Sequence, residues 1–240
     1  MKVVFVGPTL AGEALPDDES IAFRGPARQG DLHRAVAEGA TVVGLIDGAF
    51  EHVPSIWHKE ILFALSSGVT VLGAASMGAL RAAECDRFGM IGVGEVYRQY
   101  AEREIEDDAD VAQLHGPAEI GYRSLTQPMV NVRATLARLR TDGLVDDREY
   151  RELYAAAETL NFRERTYSAV VSAAIPTPSR RDALATLLAA RAVNLKRQDG
   201  LELVERVRGL PDRRVAPPSD WSFQETSMWC QAFGEVDAKR

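Results

Sequence analysis

Cysteine is scarce in this 240-residue chain: only Cys85 and Cys230 occur, far apart and in no metal-binding or redox spacing. Two isolated thiols exclude a disulfide framework and suit a reducing compartment. Basic charge is also in deficit, with 28 Lys and Arg against 35 Asp and Glu and a formal net charge of −7. Phosphate backbones are bound by clustered Lys and Arg, so this balance argues against nucleic acid as the main partner. No apolar run approaches the roughly 20 residues of a membrane-spanning helix. The opening MKVVFVGPTL has one lysine and a short apolar run that stops at Gly7-Pro8, too short for the core of a signal peptide. The expectation is a cytoplasmic protein with no nucleic acid and no membrane among its partners. What is present is ordinary for a globular chain, 46% hydrophobic and 26% charged residues, enough for one large domain or a domain with an appended module.

Lys2 to Val6 is a β-branched run closed by Gly7 and Pro8 and reads as a buried strand and a turn. DLHRAVAEG at 31–39 has an Asp cap and a Gly stop around a short helix. TVVGLI at 41–46 predicts a second strand ending at Asp47-Gly48, and Pro54 to Ser67 a helix stopped by Gly68. VTVLG at 69–73 predicts a third strand, followed by a helix from Met77 to Arg87. Apolar strands alternating with helices imply a parallel sheet covered on both faces. Beyond it come the acidic run EIEDDAD at 104–110, a short strand over Val111 to Leu114 and a loop at Gly116-Pro117. From Met129 the pattern is helical, and the tail from Pro211 reads as an irregular strap or a short last helix. The predicted layout is an α/β parallel-sheet core domain over 1–125 and a mostly α-helical module over 126–240.

Ligands of parallel α/β sheets gather at the carboxyl ends of the strands. Those ends are Gly7-Pro8-Thr9, Asp47-Gly48 and Ala74-Ala75-Ser76-Met77-Gly78, so Thr9, Asp47 and Ser76 are expected to face a common cleft. Ser76 stands at a strand-to-helix junction with small residues on both sides, the setting of a nucleophile elbow whose usual first glycine is here Ala74. The following helix would point free N–H groups at the site as an oxyanion holder. Alternatively, Ser76 simply caps that helix. A nucleophilic serine needs a base. The four histidines, His33, His52, His58 and His115, have no evident acidic orienting residue, and His33 falls within a helix. Lys59 in SIWHKEILFAL has Ile56, Leu62 and Phe63 as helical neighbours and lies near a helix N-terminus. Both burial and the helix dipole there favour a neutral amine, whereas the alternative is a lysine that reaches solvent over apolar surface. Asp107, Asp108 and Asp110 read as solvated charge or a cation site. Gly89, Gly92 and Gly94 mimic a phosphate loop without its strand or lysine, and Cys85 reads as core.

FVGPTL at 5–10, IDGAFEHVPSIWHKEIL at 46–62, GAASMGALRAAECDRFGMIGVGEVY at 73–97, DDAD at 107–110 and VAQLHGPAE at 111–119 together resemble the TfuA family. The resemblance covers about the first 125 residues, in order. It implies partnership with a YcaO enzyme in peptide backbone thioamidation, with sulfur from a ThiS-like thiocarboxylated sulfur-carrier protein and a precursor peptide as the modified substrate. It also implies a hydrolase-like Ser–Lys pair, which maps onto Ser76 and Lys59, with Thr9 and Asp47 inside the shared motifs. In the mechanism that follows, Lys59 takes the Ser76 proton and backbone N–H groups of Met77 or Gly78, aided by Thr9, hold the oxyanion. No metal or cofactor is implied. Two other readings stay open: a non-catalytic adaptor that grips YcaO and the peptide, and a nucleotide or small-anion binding module using Gly7 to Thr9.

Overall fold

The three apolar runs expected as strands are strands in a computed structural model that describes residues 1–49 and 53–234. They are β1 (Lys2–Phe5), β3 (Val42–Leu45) and β4 (Thr70–Ala74). Two more strands complete a five-stranded sheet, β2 (Ile21–Arg24) and β5 (Ile91–Val93). The order is β2-β1-β3-β4-β5, and every pair is parallel. The edge strands β2 and β5 escape a reading of apolar runs because only part of each is buried, whereas β1 and β3 are buried throughout.

The period of two in a strand sorts the core into two layers. Val3, Phe5, Val43, Leu45 and Val71 face α1 (Asp31–Ala37), α2 (His58–Ser66) and α3 (Met77–Cys85). Val4, Val6, Val42, Ile46, Leu72 and Ala74 face the other way, against Leu203, Val204 and Val207. Those three belong to α9 (Leu195–Gly209), which returns from the helical half to cover the second face. α4 (Gly94–Ala101) follows β5 directly. α5 (Met129–Thr141), α6 (Asp147–Thr159), α7 (Tyr167–Ala174) and α8 (Pro178–Ala190) enclose a core of their own around Leu136, Leu139, Leu153 and Leu184. Ala79, Val96, Val111, Val130 and Leu195 form a further apolar cluster that ties the sheet's helices to α5 and α9.

The helix expected from Pro54 begins instead at His58, and Asp31 is the first residue of α1 rather than its cap, which is Gly30 at φ 91°. The strand expected at 111–114 does not form. Its backbone groups are met by side chains and by loop backbone instead of a neighbouring strand. Lys196 Nζ donates to the Val111 carbonyl at 2.8 Å, and the Leu114 N–H donates to Thr126 Oγ1 at 2.7 Å.

The tail after Pro211 runs back along the α/β half. The Val215 N–H donates to the Gly68 carbonyl at 2.8 Å and Trp221 Nε1 to the Phe88 carbonyl at 3.2 Å. The tail ends in α10 (Ser227–Phe233), whose fully buried Trp229 packs against His33, Phe63, Phe223 and Phe233. Among the described residues, no helix is long and apolar enough to cross a membrane.

Candidate functional site

β4 ends at Ala74, and the chain reverses around Ala75, a non-glycine residue at φ 66°. The Ser76 N–H donates to the Ala74 carbonyl at 2.7 Å, closing a three-residue turn of the strained hand. An L-residue in this region costs about 1–2 kcal/mol. Ala75 is wholly buried in the cluster that α9 completes, and this packing holds the turn in place. A branched side chain here adds crowding to strain. Ala75→Val is therefore expected to lower stability by about 2–3 kcal/mol, read as a lower urea midpoint.

Ser76 takes the cap position of α3, yet its hydroxyl makes no capping hydrogen bond. Its carbonyl, not its side chain, receives the N–H groups of Ala79 and Leu80. Half-buried, Ser76 lines a small cleft with Gly48, Met77, Leu80, Asp108, Val111 and Ala112. The glycines nearby serve packing. A Cβ on Gly73 would lie 2.1 Å from the Gly78 carbonyl oxygen, and one on Gly78 would lie 1.8 Å from that of Leu45. The Gly78 N–H donates to the Ile46 carbonyl at 3.1 Å, so it is not available to an oxyanion. The Met77 N–H makes no hydrogen bond among the described residues, which leaves it as the donor at this helix start.

Thr9 and Asp47 come together but do not line Ser76's cleft. Asp47 is 2% exposed. It accepts the N–H of Gly7 at 2.8 Å, that of Thr9 at 3.0 Å and the Thr9 hydroxyl at 2.6 Å. The Thr9 proton is thereby committed, and it is not a spare oxyanion donor. β1 and β3 flank the point where strand order reverses, the usual ligand crevice of such sheets. Here the chain's own carboxylate fills it, so Gly7 and Thr9 have no free N–H for a nucleotide or small anion.

Lys59, in the first turn of α2, lies elsewhere. Its Nζ donates to the Gln224 carbonyl and sits 4.7 Å over the Phe223 ring. No hydrogen bond joins it to Ser76 among the described residues, and it does not line the Ser76 cleft. It borders a hollow with Ser55, Trp57, Arg81, Thr226 and Trp229. A third hollow, open to solvent, connects the two. This hollow shares Met77, Leu80 and Asp108 with the Ser76 cleft, and Ser55 and Arg81 with the Lys59 hollow. The three form one groove along the exposed side of α3, walled also by Glu84, Glu106 and Asp107. Burial, then the hydrogen bond and charge of Asp107, raise the Asp108 carboxyl above the ordinary range.

No described histidine lines the Ser76 cleft. His33 stacks on Phe63 and Phe233, His58 Nε2 pairs with Glu84 at 2.7 Å, and His115 Nδ1 meets the Gly116 carbonyl at 2.8 Å. His52 lies outside the described residues. At the start of α4, behind the glycine run at 89–94, the place a phosphate would take is filled from within the chain. Asp199 occupies that place, accepting the Val96 N–H at 2.7 Å, with its carboxyl pushed up to about 6 by burial. Gly94, at φ 86°, makes room, since a Cβ there would lie 2.2 Å from the Asp199 Cγ. Cys85 is core, its thiol pushed up to about 11 by burial. No group of acidic, His or Cys residues among the described ones could hold a metal ion.

Glu60 and Lys196 are buried charges outside the expected set. Glu60 is fully buried and accepts the N–H groups of Gly30 at 2.9 Å and Trp57 at 3.2 Å, tying α1 to α2. Lys196 is 1% exposed, and its Nζ donates to Val111 and, at 3.3 Å, to Gln113 Oε1. Burial lowers its pKa from 10.5 to about 8, opposed by the charge of Asp47. Between those two values the unfolded chain keeps a proton that the folded chain has lost, so stability rises with pH there. Relative to Lys196→Met, the native chain is expected to gain about 2 kcal/mol between about pH 8 and about pH 10 in urea melts.

The family model for TfuA-like proteins matches residues 47–166, half of the chain, from the end of β3 to the threonine before α7. That span contains Asp47, Lys59, Ser76 and Asp108 and leaves Thr9 and Lys196 outside. No curated protein matches the chain.

Proposed function

This chain belongs to the TfuA-like family, and from that premise we propose that Ser76 hydrolyses the thiocarboxylate of a ThiS-like carrier and so releases sulfide for a YcaO enzyme. Membership carries the broader role, a part in YcaO-associated peptide thioamidation. The observation that supports the finer reading is the Ser76 hydroxyl, presented on a strained turn and free of any capping bond at the mouth of a cleft. Strain of this kind gathers at sites where a side chain must be displayed.

Ser76 Oγ attacks the thiocarboxylate carbon, and the developing oxyanion is met by the Met77 N–H. The C–S bond breaks, sulfide leaves for the YcaO-bound peptide, and water then cleaves the acyl-serine. Lys59 is the base. It first leaves the Gln224 carbonyl and reaches along the groove toward Ser76, so the tail lets go of Lys59 when the carrier docks.

The separation of Lys59 from Ser76 favours a second reading, the adaptor that binds YcaO and precursor peptide without turnover. Sulfide release from a thiocarboxylated carrier separates the two. The hydrolase reading expects release by the native chain and its loss in Ser76→Ala and Lys59→Ala. Native-rate release by Ser76→Ala sinks the nucleophile assignment, and native-rate release by Lys59→Ala alone removes that base.

A further inference from the structure

The groove between Ser76 and Lys59 is acidic, lined by Glu84, Glu106, Asp107 and Asp108, and Arg81 is the cation set in its wall. A thiocarboxylate is an anion at neutral pH. An anion is a poor electrophile, and these carboxylates repel it. A reaction on such a group at Ser76 therefore requires a cation that meets it.

Arg81 has the required placement. It is on α3, one turn beyond Met77, and helical side chains lean back over the preceding turn, here toward the Ser76 end. It lines both the central hollow and the Lys59 hollow, and its charge acts on Asp108, which borders the Ser76 cleft. Its side chain is 12% exposed, and Nη1 donates to Glu84 at 2.6 Å. Glu84 is held in turn by His58 at 2.7 Å. The guanidinium is thus fixed at one end, while Nε is buried without a partner and Nη2 makes no hydrogen bond among the described residues. A buried donor left unpaired is costly and marks a place where an acceptor belongs. The planar fork of arginine matches a carboxylate-shaped group.

We propose that Arg81 holds the anionic end of the carrier tail, its C-terminal thiocarboxylate, beside Ser76. This rests on the Ser76 reading and adds its substrate-recognition element. The ion pair forms without a covalent change. It neutralises the thiocarboxylate, lets Ser76 Oγ approach the carbon, and binds the carboxylate product in the same way.

The test is calorimetric binding of a recombinant ThiS-like carrier ending in a free carboxylate, compared with the same carrier ending in a carboxamide. The native chain is expected to bind the carboxylate form at least about tenfold more tightly. Arg81→Met should bring the two forms to within about twofold, and Arg81→Lys should leave an intermediate ratio, since an ammonium lacks the fork. The comparison is a ratio within one protein, so a partly unfolded variant lowers both affinities alike. If Arg81→Met is too unstable to measure, a native ratio in Arg81→Lys overturns the fork. Equal binding of the two forms by the native chain, or a native ratio in Arg81→Met, overturns the proposal. Ser76→Ala should keep the preference while losing sulfide release, so failure of the nucleophile and failure of Arg81 give different results.

Discussion

Ser76→Ala is expected to reduce sulfide release from a thiocarboxylated carrier about 10³-fold or more while leaving the fold intact. A nucleophile removed from a covalent mechanism takes with it the whole two-step route, and what survives is the modest effect of binding and oxyanion stabilisation. The fold should be indifferent because the hydroxyl caps nothing. Losing a serine that does cap a helix costs about 1 kcal/mol; here the change should stay within about 0.5 kcal/mol. The two outcomes separate the two readings of this serine. A loss of about 1 kcal/mol with undiminished release would mean that Ser76 is a cap. Unchanged stability with release abolished would mean that it is a nucleophile. Urea melts and a sulfide assay on one preparation decide between them.

Gly78→Ala is expected to destabilise the chain by about 3 kcal/mol or more, lowering the melting midpoint by about 6–12 °C. The new methyl would lie 1.8 Å from the Leu45 carbonyl oxygen and 3.2 Å from the Ile46 nitrogen. These are backbone atoms of β3 and its end, in the middle of the sheet, and no side-chain rotation relieves the clash. α3 would have to move off the sheet and break the Gly78-to-Ile46 hydrogen bond. Because α3 carries Ser76 at its cap and Arg81 in its second turn, any folded Gly78→Ala protein should lose sulfide release as well. A midpoint within 2 °C of native would show that helix and strand are not in such close register.

Gly78 also marks the limit of what a one-dimensional reading can see. The small residues of GAASMGAL were legible as a tight strand-to-helix junction, because bulky side chains clash across one. Their partners were not. Gly73 and Gly78 are small because α3 crosses the backbone of β3 and β4 at contact distance, and Ala75 because it is buried beneath α9. The same gap explains the charges that were overlooked. Glu60 meets Gly30 across 30 positions, Lys196 meets Val111 across 85, and Asp199 meets Val96 across 103. Locally each reads as ordinary helix surface, and only their burial distinguishes them. Lys59 shows the same limit from the other side. Its helical neighbours are apolar, as expected, but its Nζ is claimed by a tail more than 160 residues later.

The amino-acid sequence by itself determined the α/β class, the parallel sheet and the family, since apolar periodicity and short motifs are properties of neighbouring residues. Tertiary structure alone decided which donors at the strand ends remain free. Asp47 uses those of Gly7 and Thr9, Ile46 takes that of Gly78, and Met77 keeps its own. It also decided that α9 and the tail pack onto the first half of the chain. A buried hydrogen bond is settled by which groups meet after the chain closes over long loops, and local pattern does not specify that meeting.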